Sequence, residues 1–338
     1  MEYIFDIFKL IEKSLENEKH SFFVVDEKKF TQSLIENGLV GLVFEYIDPK
    51  SFKNQSYYNL LKEIFKGYVY QDIQQQNLIQ TINDKFNEAQ IKHIFLKGAH
   101  LKKIYPQSYM RGMGDIDVLI EKDNVELVKS IFLEMNYKMT DVRLLHYTFE
   151  TPNNLIIELH PTIVSEVDFE YEEFLNGVWN EAYLKSKYLY ELNNEFLYVY
   201  LLIHVVKHLR TSGVGIRSIL DLKLFKDYYI ESIDFIKLSN NLHKLDLIKA
   251  DEKMERLSCI FINQMLPSDK DLKIIEYILK SGIHGKGSEH DRFTGRRVFE
   301  TEHKKQSKTQ YFLLQIFPKK RYLENQYPYL RTHPWLLP

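Results

Sequence analysis

Apolar positions recur at helical spacing through the first part of the chain. Ile4, Phe5, Phe8, Leu10, Ile11 and Leu15 make one stripe, and Leu34, Leu39, Val40, Leu42, Val43 and Tyr46 make a second. Between them, Phe22, Phe23, Val24 and Val25 form an apolar run that suits either a strand or a helix. No reactive pattern falls here, and residues 1–70 read as a helical cap. Gln71 to Ala89 predicts a long polar helix with Ile73, Leu78, Ile82 and Phe86 on its buried side. It leads into a strand, Ile94-Phe95-Leu96-Lys97. Gly98 follows as a turn that a side chain would obstruct. The next helix, Ala99 to Tyr105, stops at Pro106.

The period then changes to two. In Asp115-Ile116-Asp117-Val118-Leu119-Ile120 the two carboxylates share one strand face, while Ile116, Val118 and Ile120 point into a core. Asp123, with Glu126 three residues on, predicts a capping-box start. Its helix would bury Val125, Val128, Ile131, Phe132 and Met135. A hairpin follows: Leu145, Tyr147 and Phe149 alternate, Pro152-Asn153-Asn154 turns, and Leu155, Ile157 and Leu159 alternate again. Ile156, Glu158 and His160 take the other face of that second strand. From about Asp168 the pattern is helical: Glu195 to Leu209, then Thr211-Ser212-Gly213-Val214-Gly215, then Ile216 to Tyr229, with more helices over Asp234 to Lys280. Residues 282–310 are charged and glycine-containing, a mobile-loop candidate. Tyr327-Pro328-Tyr329-Leu330 and Pro334-Trp335-Leu336-Leu337-Pro338 should dock on the body. The expected layout is a cap at 1–70, a core at 71–165 and a helical domain at 166–338. The expected class is α+β, a small mixed sheet with helices on one face.

Composition narrows the functional classes. A hydrophobic fraction of 44% over 338 residues is ample for a core, and only 13 glycines favour helix. The net charge of -2 disfavours long nucleic acid as a partner, since such binding draws on surplus Lys and Arg. Cys259 is the only cysteine, so neither a disulfide framework nor a thiolate metal cluster is expected. No apolar run reaches the ~20 residues of a membrane span, and the N-terminus lacks a signal-peptide pattern. A cytoplasmic protein with no membrane partner is the expectation.

The acids carry the candidate chemistry. Like charges on one sheet face repel unless a cation lies between them, and magnesium prefers carboxylate and phosphate oxygens. A lone mid-strand acid such as Glu158 also calls for a partner, because burying an unpaired carboxylate is costly. Two aspartates on one strand and a third acid on a neighbour suit two-metal nucleotidyl transfer. Other candidates have plain structural alternatives. His204 and His208 stand i, i+4 and could hold zinc, or be a hydrogen-bonded pair. Arg217 and Asp221 are also i, i+4, the spacing of an intrahelical ion pair. Arg111 could be a surface ion-pair partner or could orient a phosphate or carboxylate. Lys319-Lys320-Arg321 reads as solvated surface.

Lys97-Gly98-Ala99, Arg111-Gly112-Met113-Gly114-Asp115-Ile116-Asp117-Val118-Leu119-Ile120 and Ile157-Glu158-Leu159-His160 resemble the uncharacterised bacterial nucleotidyltransferase family, within the DNA polymerase beta-like superfamily. The resemblance spans roughly residues 30–260. It implies metal ligation and catalysis by Asp115, Asp117 and Glu158, with Mg2+ or Mn2+ as cofactor and an NTP as substrate. It implies nucleotide contacts at Lys97, Gly98, Arg111, Gly114, His160, His208 and Arg217, with Lys207 and Asp221 as further candidates. The cleft between the sheet and the C-terminal helices would hold the nucleotide. The implied reaction moves an NMP group to a hydroxyl or phosphate acceptor (small molecule, sugar, peptide or protein). Here Gly98-Ala99 replaces the superfamily's usual small pair, and the third acid is Glu. A non-catalytic nucleotide- or partner-binding module and a phosphotransferase remain as alternatives. The acceptor and the oligomeric state are left open.

Overall fold

The computed structural model describes residues 2–142, 146–164, 169–211 and 213–282, with His333 and Trp335. Its helices are α1 (Glu2–Leu15), α2 (Glu27–Glu36), α3 (Val40–Val43), α4 (Gln55–Glu88), α5 (Lys97–Leu101), α6 (Val125–Glu134), α7 (Glu172–Asn176), α8 (Asn194–Thr211), α9 (Ile216–Tyr228), α10 (Phe235–Lys244), α11 (Ile248–Phe261) and α12 (Asp269–Ser281). Its strands are β1 (His93–Phe95), β2 (Asp115–Ile120), β3 (Lys138–Val142), β4 (Tyr147–Glu150), β5 (Ile156–His160), β6 (Ala182–Ser186) and β7 (Leu189–Leu192). The expected α+β class holds. The described residues group into two compact units: 2–79, 97–113 and 197–282 in the first, 80–96 and 114–196 in the second.

The second unit is built on one mixed sheet of order β3-β4-β5-β2-β1-β7-β6. β2 lies parallel to β5 and antiparallel to β1. One face of the central strands is apolar: Ile116, Val118 and Ile120 of β2 and Ile157 and Leu159 of β5 are all fully buried. Phe132 of α6 packs there, its ring 5.0 Å from Phe149 and 5.7 Å from Phe86. Burying side chains of this size contributes about 2–3 kcal/mol each, which fixes the strand register. The predicted hairpin is β4–β5, with Phe149 opposite Ile157. Its turn closes through Asn154 N–H to the Thr151 carbonyl, with Asn154 at φ +58°. Leu145 lies outside the described residues.

The first unit is helical in its described residues. α1 packs on α11 through Phe8 and Phe261, ring centroids 5.2 Å apart. α9 and α8 meet through Phe225 and Tyr198. Asp26 caps α2, Asp234 caps α10, and Ser268 with Asp271 forms a capping box on α12.

Several local expectations are corrected. The polar helix begins at Gln55 rather than Gln71, and Ile73 is 52% exposed. Asp72 and Gln75 hold the buried face with Leu78, Ile82 and Phe86. Phe22–Val25 is neither strand nor helix; Val24 is buried while Phe23 and Val25 are exposed. The capping box at Asp123 does not form: Lys122–Asn124 is a single 3-10 turn, and α6 starts after Asn124 with no side-chain cap. The positive φ of the Lys97-Gly98 turn falls on Lys97, at +43°, and not on the glycine. Residues 283–332 lie outside the described residues, and with them the mobile-loop candidate. Trp335 is exposed, and the rest of the two C-terminal segments expected to dock lies outside the described residues. No helix among the described residues is long and apolar enough to cross a membrane.

Candidate active site

Strand pairing brings the acids of the second unit together. In the parallel β2–β5 ladder Asp117 stands opposite Glu158, and Leu119 opposite His160. Asp117 is buried, and its strand position is held by the Leu96 N–H bonded to its carbonyl at 3.0 Å. Glu158 and His160, two residues apart on β5, are half-buried on one face. His160 Nε2 lies 2.9 Å from Asp117 Oδ1 and 3.4 Å from Glu158 Oε2. The imidazole thus bridges two carboxylates that would otherwise face each other across the ladder.

One atom from each of Asp117, Glu158 and His160 lies within 4.8 Å of the other two, a spacing that can hold a metal ion. Two carboxylates and an imidazole fit Mn2+ well, and the carboxylates fit Mg2+. Asp115 is not part of this close group. It stands opposite Ile156, half-buried, on the Asp117 face by strand alternation. The structure therefore brings Asp117 and Glu158 together and adds His160, which was expected to contact nucleotide. Gly114, just before β2, is exposed, and a Cβ there would meet nothing within 4 Å.

The remaining candidates lie in the first unit. Gly98 is required by packing: a Cβ would come 2.5 Å from Met113 Sδ and 2.7 Å from Arg111 Nη1. Arg111 is buried and pairs with Asp221, Nη2 to Oδ2 at 2.9 Å and Nε to Oδ1 at 3.3 Å. The Tyr105 hydroxyl donates to the same Oδ1 at 2.8 Å, and burial pushes the Tyr105 phenol well above its ordinary range. Arg111 is therefore no surface residue, and Asp221 is not the partner of Arg217. His208 and His204 form a pair, Nε2 to Nε2 3.1 Å, with one ring donating to the other. Burial, then the charges of Lys207 and Lys97, push His208 down to about 4. No third His, Cys, Asp or Glu joins them in a ligand-like group among the described residues, so the zinc alternative gains no support.

A second buried network went unread in the sequence. Asp72 of α4 pairs with Lys102 and accepts from Ser108 Oγ at 2.6 Å and Gln76 Nε2 at 2.7 Å. Burial lowers the Lys102 ammonium below its ordinary value despite that partner. On the same helix, Gln71 and Gln75, one turn apart on either side of Asp72, both donate to the Met113 carbonyl, at 3.2 and 2.8 Å. They fix the backbone just before Gly114. The available signal was polar residues at i, i+3 on the face of α4 that also holds Leu78 and Ile82.

A family model of uncharacterised nucleotidyltransferases matches residues 24–263. The chain belongs to that nucleotidyltransferase family. Among solved structures it is similar to the antibiotic-resistance factor ANT(2'')-Ia, at 12% identity and a TM-score of 0.39, over 52% of this chain and 96% of that one. It is also similar to an antigenic nucleotidyltransferase-like protein from Paracoccidioides brasiliensis, at 12% identity and a TM-score of 0.31, over 52% and 91% of the two chains. A third similarity is to the Thermotoga maritima CCA-adding enzyme complexed with tRNA, at 11% identity and a TM-score of 0.23, over 77% and 74%. No match was found among curated proteins.

Proposed function

We propose that this chain moves a nucleoside monophosphate from an NTP to a hydroxyl or phosphate acceptor on a small molecule, sugar, peptide or protein. The acceptor oxygen bonds to the α-phosphorus, the bond from that phosphorus to the bridging oxygen breaks, and pyrophosphate leaves with the electron pair. A hydroxyl acceptor passes its proton to a carboxylate of the site or to solvent. The observation that supports this reading is the convergence of Asp117, Glu158 and His160 from two adjacent strands. Asp117 and Glu158 would hold a divalent ion, Mg2+ or Mn2+, with Asp115 on the same strand face and His160 beside them. Such an ion would lower the acceptor's pKa and neutralise charge on the triphosphate.

The chain's own groups supply position. The ladder register sets the separation of Asp117 and Glu158, and His160 orients both carboxylates. Lys97 and Gly98 are assigned to the triphosphate, and Gly114 and His208 to nucleotide contact; Arg111, bound to Asp221, orients that carboxylate.

The test is incubation with each NTP and Mg2+ or Mn2+, with and without cell extract, followed by mass spectrometry. An acceptor heavier by NMP, with pyrophosphate released, is the expected product. Release of NDP makes the protein a phosphotransferase. Failure to bind both metal and NTP makes it a binding module of another kind.

A further inference from the structure

The close group in the second unit has two oxygen donors and one nitrogen. Asp117 and Glu158 face each other across the β2–β5 ladder. The third atom is His160 Nε2, 2.9 Å from Asp117 Oδ1 and 3.4 Å from Glu158 Oε2. Those separations suit a shared ion. Two atoms bonded to one ion at about 2.1 Å lie roughly 3.0 Å apart at a right angle and roughly 3.4 Å apart at a tetrahedral one. Asp115, the acid expected to complete the set, lies outside the group. A nitrogen stands where a third carboxylate was expected.

A second imidazole stands beside the first. β4 runs antiparallel to β5, with Tyr147 opposite Leu159 and Thr148 opposite Glu158. The next pair along that ladder is His146 and His160. Their ring centroids are 5.6 Å apart, and His146 is half-buried. Alternation puts His146 and Thr148 on the face that carries Glu158 and His160. Two imidazoles and two carboxylates are thus gathered on one face. Imidazole is a common ligand of first-row transition ions, whereas Mg2+ takes oxygen. With no ion bound, Nε2 donates to Asp117, because an ionised carboxylate only accepts. Ligation needs the Nε2 lone pair, so the ring must then carry its hydrogen on Nδ1. A ligating histidine normally donates that hydrogen to a neighbour, and His146 is the neighbouring ring.

We propose that His160 is a direct ligand of the divalent ion, positioned by His146, and that this nitrogen makes the centre favour first-row transition ions over Mg2+. The inference rests on the metal centre proposed above, and it changes His160 from a nucleotide contact to a ligand. A histidine that only paired the two carboxylates would leave an all-oxygen centre without that source of selectivity.

The experiment takes the full chain, freed of divalent ions, and titrates it with Mn2+ alone. Free Mn2+ is counted by electron paramagnetic resonance, with Mg2+ added as competitor. Pulsed measurements on the bound ion read any directly bonded nitrogen, and heavy-nitrogen labelling of histidine assigns it. The expected result is a nitrogen coupling that changes on labelling and disappears in His160→Gln. In that variant Mn2+ affinity should fall about tenfold or more while Mg2+ affinity stays within about twofold. Bound Mn2+ with no histidine nitrogen in the unmutated chain overturns the proposal, whatever the variants do. Equal loss of both ions in His160→Gln makes His160 a support for the carboxylates and overturns it as well. His146→Gln should keep the nitrogen coupling and weaken Mn2+ about tenfold, with Mg2+ little changed; unchanged Mn2+ affinity overturns the positioning role of His146. Failure to bind either ion overturns the metal centre itself, a different result from an ion held by oxygen alone.

Discussion

Arg111 and Asp221 stand 110 positions apart in sequence and close a two-point ion pair, with side chains only 10% and 4% exposed. Breaking a buried pair from one side leaves a bare charge inside, at about 3–5 kcal/mol, whereas replacing both partners with apolar residues is often near neutral. Asp221→Asn is therefore expected to lower the unfolding free energy by about 3 kcal/mol. Arg111→Met/Asp221→Leu should recover most of it, short of the Tyr105 hydrogen bond, worth about 1 kcal/mol. Urea titrations with unchanged m values measure both. A single-variant loss under about 1 kcal/mol would reduce the pair to surface strength.

Lys97 sits in the left-handed region at φ +43°, a conformation that costs a side-chain-bearing residue about 1–2 kcal/mol. Glycine adopts it freely. Lys97→Gly should therefore raise or preserve the thermal midpoint while NMP transfer falls. A strain retained at a position where a neighbouring glycine was possible points to a role for the ammonium. Full transfer by the variant would remove Lys97 from the triphosphate.

Much of the second unit was legible because its signals are local. The alternation in Asp115–Ile120 and in Leu155–Leu159 fixes which side chains share a face, and the observed register follows from it. β3 was not read, because Lys138–Val142 is an edge strand with four of its five residues exposed, so no buried face leaves a mark. β6 escaped for the same reason, in Ala182–Ser186. Pairings set by tertiary packing were also hidden. Spacing made Arg217 the natural partner of Asp221, and only the fold brings Arg111 there. His160 was visible as sharing the Glu158 face, but its hydrogen bond to Asp117 depends on which strands become neighbours. The glycine at 98 was read for its backbone freedom, whereas its reason is the crowding of Met113 and Arg111 against its Cα.

Asp117→Asn and Glu158→Gln keep the size of each side chain and remove the charge that would hold a divalent ion. Metal contributions to such transfers amount to several kcal/mol, so each variant should lose about a hundredfold or more in transfer rate. Mn2+ affinity should fall with it. Folding should persist, because removing like charge from one sheet face relieves repulsion. Asp115→Asn, outside the close group, is the informative comparison. A loss equal to that of Asp117→Asn brings Asp115 into the metal site; unchanged transfer leaves it out. Full transfer by Asp117→Asn would end the assignment.

His208 predicts the pH dependence of stability. The folded protein holds this imidazole neutral down to about 4, against an ordinary value of 6.5, chiefly through burial. Between those two values the unfolded chain binds a proton that the folded chain refuses, so the unfolded state gains. Stability contributed by neutral His208 is complete above pH 6.5 and is lost as pH falls toward 4. The ceiling is about 3 kcal/mol, reduced by the ring's partial exposure and by proton sharing with His204. His93 is also lowered by burial and adds a slope of the same sign, so the measurement is a difference. Urea midpoints of wild type and His208→Gln, taken from pH 7 to pH 4.5, should diverge at the top of that range and converge at the bottom. Parallel curves would mean that His208 titrates normally in the folded chain, and that its pairing with His204 leaves it open to protonation.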